Sequence, residues 1–150
     1  MRVVIQRVSQ ASVSVDGKIT GSIGKGLLVL AGFEEEDNDD DVLWMAKKIA
    51  ALRIFNDNEG LMNLSVGDIG GNIMVVSQFT LHAMTKKGNR PSFIKAAKPE
   101  KAIPLYHFLI NELENLTKTT VQQGIFGAMM EVSLVNDGPV TIVIDSKMKE

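Results

Sequence analysis

Apolar positions in this chain recur with two periods, and each predicts a different kind of element. Val3 to Val8 reads as a strand. Ala11, Val13 and Val15 then alternate with Ser12 and Ser14, the period-two signature of a half-buried strand. Asp16-Gly17 supplies a turn, and Ile19 to Ile23 returns. Leu27 to Ala31 is an unbroken apolar run, the pattern of a strand buried on both faces, and Ile73 to Val76 is another. Near the C-terminus Met130, Val132 and Leu134 alternate with Glu131 and Ser133. Asn136-Asp137-Gly138 is then expected to turn the chain so that Val140 to Ile144 pairs back on it, with Pro139 outside the ladder or at its edge because it has no N–H.

The longer period appears twice. Val42, Met45, Ile49 and Leu52 give one inward face to a helix over about Asp41–Phe55, with Ala46 and Ala50 beside it. Asp39 to Asp41 can cap its exposed N–H groups and complement its dipole, with Arg53 near its end. Trp44 lies off the stripe and covers either the helix flank or a neighbouring subunit. Ala102, Leu105, Tyr106, Leu109, Leu113 and Leu116 mark a second helix over about Pro99–Thr117. Pro99 suits a first turn. Pro104 should kink this helix or displace its start. A Gly/Asn-rich connection, 58–72, and a long basic segment, 82–99, lie between these elements, and the polar tail from Asp145 is expected to fray. The reading is one α+β domain over residues 1–150, with no internal repeat.

Bulk composition narrows the function classes. With 45% hydrophobic and 23% charged residues the chain is an ordinary globular one, and with no cysteine it has no disulfide, thiolate nucleophile or thiolate metal site. No apolar run approaches the roughly 18 residues of a membrane span, and no secretory leader opens the chain, so a cytoplasmic, membrane-free protein is expected. The net charge of −2 gives no whole-molecule attraction to a polyanion. Yet charge is segregated, with acids at Glu34–Asp37 and Asp39–Asp41 and bases at Lys86, Lys87, Arg90, Lys95, Lys98 and Lys101. Local fields of this kind steer ligands, although a basic loop also has a plain solvating use.

Several familiar chemistries are poorly supported. Gly21–Gly26 resembles a phosphate loop, but Leu27 and Leu28 stand where a lysine and a hydroxyl would be needed. The acidic run lacks the glycine and glutamate of a calcium loop. Two histidines are too few for a histidine-rich zinc centre; His107 reads as surface or interface, and His82 is a weak general-base candidate. No nucleophile elbow is present. What stands out is the end of the Ile73–Val76 run, where Ser77, Gln78 and Thr80 follow with Phe79 and Leu81 interleaved. Polar groups there must find partners or serve a ligand, since burying one unpaired costs roughly 1–3 kcal/mol. Ser77 and Thr80 either terminate the strand on local backbone or build a site.

Five segments together resemble the D-aminoacyl-tRNA deacylase family. They are Ile5-Gln6-Arg7-Val8, Met62-Asn63-Leu64, Val76-Ser77-Gln78-Phe79-Thr80-Leu81, Gly88-Asn89-Arg90-Pro91-Ser92-Phe93, and the run from Val132 to Thr141. The resemblance spans about residues 1–145, and the SQFTL and NDGPVT segments are specific as a pair. It implies a compact barrel-like α+β homodimer with two main helices and active sites at the subunit boundary. The implied reaction is hydrolysis of the ester between a D-amino acid and the terminal adenosine of tRNA, without cofactor or metal. Gly138-Pro139 matches the family's glycine–cis-proline element, which reaches into the neighbouring subunit's pocket, and Arg7 matches the arginine that orients it. Ser77, Gln78, Phe79 and Thr80 match the facing, catalytic wall. Leu81, Phe126 and Met130 match residues of the substrate pocket near the terminal adenosine.

The implied selection is by exclusion. An L-amino acid held by its ammonium and ester would drive its side chain into carbonyl oxygens, whereas a D-amino acid points outward. Glycine escapes such a test, so a tRNA acceptor end carrying glycine is an expected second substrate. Resemblance favours water attack assisted by the ribose 2′-hydroxyl, with backbone N–H groups near Gln78–Phe79 as oxyanion donors; Thr80 as a covalent nucleophile is the rival. Lys86, Lys87 and Arg90 would meet acceptor-stem phosphates. The chain departs from the family at Met84 and Met129, where aspartate is common. Two alternatives remain: an editing deacylase for L-alanine on a threonine tRNA, with a trans glycine–proline bond, and a non-enzymatic tRNA-binding dimer.

Overall fold

A computed structural model describes residues 1–150. The chain forms β1 (Arg2–Val15), β2 (Lys18–Ile23), β3 (Gly26–Gly32), α1 (Asp39–Ala51), β4 (Phe55–Asn56), β5 (Met62–Leu64), β6 (Asn72–Ser77), α2 (Pro99–Thr117), β7 (Gln122–Gln123) and β8 (Glu131–Asp145). The main sheet runs β2-β1-β3-β6-β7, and β8 pairs along β1 to make a near-closed barrel; β4 and β5 form a separate small hairpin. The fold is α+β, with α1 and α2 packed together against the sheet.

The two unbroken apolar runs behave as their pattern requires. β3 and β6 lie side by side in parallel, with Val29 opposite Val75. Alternate residues of each serve different cores. Leu27, Val29, Ile73 and Val75 join the helix-side cluster with Val42, Met45, Leu109 and Leu113, whereas Leu28, Met74 and Val76 join a barrel-side cluster with Val8, Ala11 and Val13. All four residues from Ile73 to Val76 are buried. Tyr106 ties α2 to this strand by donating its hydroxyl to the Val75 carbonyl at 3.0 Å, and burial pushes that hydroxyl up to about 12.

Several expectations need correction. Residues 2–15 form one long strand, because a register shift around Arg7–Gln10 lets the inward face change sides without a break. The C-terminal segment makes no hairpin. Glu131–Asp145 is a single strand that follows β1 throughout, and the ladder passes from Val8 opposite Asn136 to Gln6 opposite Thr141, so Asp137 to Val140 bulge out. Pro139 sits in that bulge, outside the ladder. Asn136 closes its base by accepting from the Val140 N–H at 3.0 Å and donating to the Thr141 hydroxyl at 3.1 Å. An asparagine–aspartate–glycine sequence that signals a turn thus makes a bulge here, because β1 offers a partner to both halves.

Helix α1 is displaced toward the N-terminus of its expected span. Asn38 caps it by accepting from the Asp40 and Asp41 N–H groups, with Asp41 returning a bond to the Asn38 N–H. Arg53 lies beyond the end and donates to the Asn63 carbonyl. Helix α2 begins at Pro99 and carries Pro104 inside it, so the start is not displaced. Nor does the tail fray. Ser146 is buried and its N–H bonds the Met1 carbonyl, Lys147 pairs with Asp41 at 2.7 Å, and the Lys149 ammonium sits 4.6 Å from the centre of the Trp44 ring. Trp44 therefore covers the helix flank beneath this chain's own tail. Asp37 is fully buried against the Met1 ammonium and also accepts from the Glu34 N–H at 2.7 Å. Opposite charges on segments far apart in sequence account for the tail's order and for part of the acidic run.

Candidate active site

β6 ends at Ser77, and the chain then tightens into a single 3-10 turn over Phe79–His82. The polar residues after the apolar run are therefore on a turn rather than an extended strand. Two contacts make the turn possible. The Gln78 N–H donates to the Ala31 carbonyl at 2.8 Å, carrying the β3–β6 pairing one residue further. Gly32 then leaves its side-chain space to the turn: a Cβ there would lie 2.7 Å from the Gln78 carbonyl oxygen and 3.2 Å from the Leu81 Cβ.

A pocket of about 360 Å³ opens at this strand end, within the usual range for small-ligand sites. Its walls come from the ends of β3 and β6 and from the loop before β8, and nine of its thirteen lining residues are hydrophobic. Ser77, Gln78, Phe79, Phe126 and Met130 all line it. Thr80 and Leu81 do not. Thr80 faces the Gln78 side chain, whose amide Nε2 donates to its hydroxyl. Neither Ser77 nor Thr80 uses its hydroxyl to terminate the strand on backbone. Ala31, Gly32, Phe33, Gly127, Ala128, Met129 and Val132 also line the pocket, unpredicted as site residues. The glycine closing the Leu27–Ala31 run is the signal for the first of these groups; Gly127, Ala128 and Met129 come from a loop with no periodicity, and Val132 from the alternating start of β8.

Donors and bases are sharply limited. The Gln78 N–H is committed to Ala31, so it is not available to an oxyanion. The N–H groups of Phe79 and Thr80, in the first turn of a helix, have no acceptor within the chain. His82 is buried, with Nδ1 3.2 Å from a Glu34 carboxylate oxygen, and it does not line the pocket. The Thr80 hydroxyl bonds the Gln78 amide, and no carboxylate or imidazole is hydrogen-bonded to it. His107 is exposed on α2. No group of three or more His, Cys, Asp or Glu side chains is placed to hold a metal ion.

The rim is aromatic and then basic. Phe79 is 57% exposed and meets Phe93 edge-on, with ring centres 5.1 Å apart. Paired backbone bonds between Met84 and Ser92, of 2.8 and 3.0 Å, close the loop that carries Lys86, Lys87 and Arg90, all exposed. The Phe79–Phe93 contact roots this basic loop at the pocket mouth.

Arg7, Gly138 and Pro139 lie elsewhere. None lines the pocket, and the strand order places β1 and β3 between β8 and β6. Arg7 is buried and bonded to two backbone carbonyls. Its Nη1 donates to the Ile54 carbonyl at 2.8 Å, and its Nε donates to the Asp137 carbonyl at 3.0 Å. Gly138 has φ +134, and a Cβ there would lie 3.1 Å from Arg7 Nη2. The Gly138–Pro139 peptide bond is cis, and both residues are exposed at the bulge.

A strand-end pocket with no histidine in its lining, and a separate arginine-braced Gly-Pro bulge, coincide with a family match. Residues 4–145 fit the family model described as D-Tyr-tRNA(Tyr) deacylase. The chain belongs to this family. Among curated deacylase relatives, the D-aminoacyl-tRNA deacylase of Flavobacterium psychrophilum is 64% identical and that of Akkermansia muciniphila 59%, each over 150 residues and the full length of both chains. A solved structure named c-Myc DNA Unwinding Element Binding Protein shares 40% identity with a TM-score of 0.90, covering 97% of this chain and 98% of its own. A probable eukaryotic D-amino acid tRNA deacylase structure, at 17% identity and TM-score 0.82 over 95% of this chain and 97% of its own, shares the deacylase fold.

Proposed function

We propose that this chain, acting as a single domain over residues 1–150, hydrolyses the ester of D-aminoacyl-tRNA and selects its substrate with a wall borrowed from a second copy. The first clause follows from family membership and from full-length deacylase relatives at 59–64% identity: the protein is a D-aminoacyl-tRNA deacylase enzyme. A tRNA-binding protein without ester cleavage is the weaker reading, because the site-forming turn and its pocket are intact.

One observation carries the second clause. The Gly138–Pro139 bulge is exposed, held from behind by Arg7, and absent from the pocket of its own chain. It also sits midway along β8, whose outer edge pairs with no strand and exposes Val135 and Val143. An unpaired edge of that length favours cover by another chain, and a twofold arrangement would offer each bulge to the other's pocket. The bulge carbonyls would then surround the substrate's α-carbon. An L side chain meets them, a D side chain points away, and glycine passes, so glycyl-tRNA is cleaved as well.

The chemistry rests on few groups. Water attacks the ester carbonyl, the oxygen gains charge, and the Phe79 N–H donates to it. One such donor contributes about 3 kcal/mol to barrier lowering. The tetrahedral intermediate collapses with the 3′-oxygen of the ribose leaving, and the proton lost by water passes to that oxygen through the 2′-hydroxyl. Ser77 and Gln78 line the reacting face, with Thr80 holding Gln78 in place. Phe126 and Met130 pack the terminal adenosine, while Leu81 acts through the turn. Lys86, Lys87 and Arg90 meet acceptor-stem phosphates.

Mixed dimers test the shared site. A protomer carrying Phe79→Asp has a broken pocket, and one carrying Gly138→Val has a broken bulge. Co-refolded, they should form dimers in which one pocket and one bulge are both intact, restoring D-selective turnover to about a quarter of wild type under statistical pairing of two sites. Mixed samples no more active or selective than the separate variants would contradict a shared site.

A further inference from the structure

We infer that Arg2 is a positioning residue for the deacylation step, acting on the turn that follows β6. The inference rests on the reading of that turn as the reacting wall. Three residues lie in one row across the sheet: Asp145 of β8 opposite Arg2 of β1, and Arg2 opposite Gly32 of β3. Residues directly opposite one another in a sheet share a face. At one end of this row, Gly32 leaves the space over which the Phe79–His82 turn packs. In the middle, Arg2 reaches that turn and donates from Nη1 to the Leu81 carbonyl at 2.7 Å. At the other end, Asp145 accepts from Arg2 Nε at 3.0 Å and Nη2 at 2.9 Å through one oxygen, Oδ2.

The carbonyl that Arg2 takes is one the turn cannot satisfy itself. Carbonyls in the last turn of a helix lack intrahelical donors, and the Met84 N–H, the next in sequence able to reach Leu81, is committed to Ser92. A guanidinium bond there is charge-assisted and short. The Phe79 and Thr80 N–H groups project from the start of the same four-residue turn, so its pitch sets where they point. The turn is thus fixed at three places: Gln78 by the Ala31 carbonyl, Leu81 by Arg2, and His82 by burial beneath Gly32. Of these, Arg2 alone is a side chain that can be exchanged without opening the core, since it is 35% exposed. Asp145 splits the roles. It orients Arg2, but the loss of its carboxylate leaves the Arg2–Leu81 bond free to form.

Turnover of D-tyrosyl-tRNA by the full-length protein tests this with Arg2→Met, Arg2→Lys, Asp145→Asn and, as a check on the wall, Phe79→Pro. Arg2→Met should lower kcat about tenfold or more with KM for tRNA nearly unchanged, the signature of misplaced donors. Arg2→Lys should recover part of that loss, and free guanidinium at non-denaturing concentration should partly rescue Arg2→Met. Asp145→Asn should lose comparable thermal stability but keep kcat within about twofold, since it leaves the donor to Leu81 in place. A wild-type kcat in Arg2→Met, or equal kcat losses in Arg2→Met and Asp145→Asn, would overturn the inference. Phe79→Pro, which deletes the donor N–H at a first-turn position where proline fits, separates the two readings. If it is impaired while Arg2→Met is not, the wall stands and the clamp falls; if it is fully active, both fall.

Discussion

Arg7 and Asp137 are joined twice, from Arg7 Nε to the Asp137 carbonyl oxygen at 3.0 Å and, at 3.4 Å, to its carboxylate. A buried guanidinium therefore grips the backbone immediately before Gly138, while its other arm holds the Ile54 carbonyl. The bulge that carries Gly138 and Pro139 is exposed, yet its root is anchored in the interior. An exclusion wall needs both properties: access to a substrate and resistance to being pushed.

Removing that grip should loosen selection as well as the fold. Arg7→Ala leaves two carbonyls without their donor, and the loss of a buried, charge-assisted set of bonds costs roughly 2–4 kcal/mol. Arg7→Lys retains the charge but cannot serve Ile54 and Asp137 at once, so it should recover only part of the stability. Urea denaturation checks the first effect. Cleavage of L-tyrosyl-tRNA, rising relative to the D form in the folded fraction, checks the second.

Thr80 is placed as a partner of Gln78, with no carboxylate or imidazole hydrogen-bonded to it. Thr80→Ala should therefore retain turnover within about tenfold of wild type, because only an orienting bond is lost. A tRNA ending in 2′-deoxyadenosine should lose far more, about a hundredfold or greater, through loss of the proton relay. Single-turnover rates on the two substrates read both. A dead Thr80→Ala that still binds tRNA would favour a covalent route.

Much of this was legible in the residues, and the misses have physical causes. The doubly buried strands showed themselves because Leu27–Ala31 and Ile73–Val76 have no polar face to place in water. The turn after Ser77 has no signal of its own, because interleaved Phe79 and Leu81 imitate a period of two, whereas what bends the chain is the space left at Gly32, on another strand. The NDGP segment predicts a hairpin because those residues fit a tight turn. Only the length of β1 decides that both halves of β8 run on along one partner. The tail's order depends on Asp37 and Asp41 meeting Met1, Ser146 and Lys147, contacts with no local signature. No single-chain pattern could bring Arg7 and Gly138 to the Ser77 pocket, and the fold keeps them apart.

Acid should release the tail. Burial alone would raise the Asp145 carboxyl, but bonds from the Lys147 N–H and from Arg2 outweigh it and hold the group below its ordinary value of 3.8. Asp41 is likewise raised by burial but lowered further by Lys147, Ser146 and Asn38. Both pKa values are lower folded than unfolded, so their stabilisation is fully present above the unfolded value. It is lost as pH falls below about 4 and through the folded values. Urea midpoints between pH 6 and pH 3 should fall more steeply for the wild type than for Asp41→Asn/Asp145→Asn. Parallel curves would contradict this account of the tail.

The basic loop predicts a salt signature. With Lys86, Lys87 and Arg90 on phosphates, log affinity for tRNA should fall with log salt concentration, and replacing all three by alanine should flatten the slope by about 2–3. The rate of the chemical step at saturating tRNA should change little, since in the proposed role these residues would hold the stem and touch no reacting atom. Filter binding across a salt series measures the first, and single-turnover kinetics the second. A slope unchanged by the triple substitution would remove the loop from the interface.

The most direct test of mirror-image discrimination is deacylation by the purified protein of one tRNA charged in parallel with D-tyrosine, L-tyrosine and glycine. The account predicts rapid release of D-tyrosine, measurable release of glycine, and L-tyrosine release no faster than the uncatalysed rate. Equal rates for D- and L-tyrosine would contradict it.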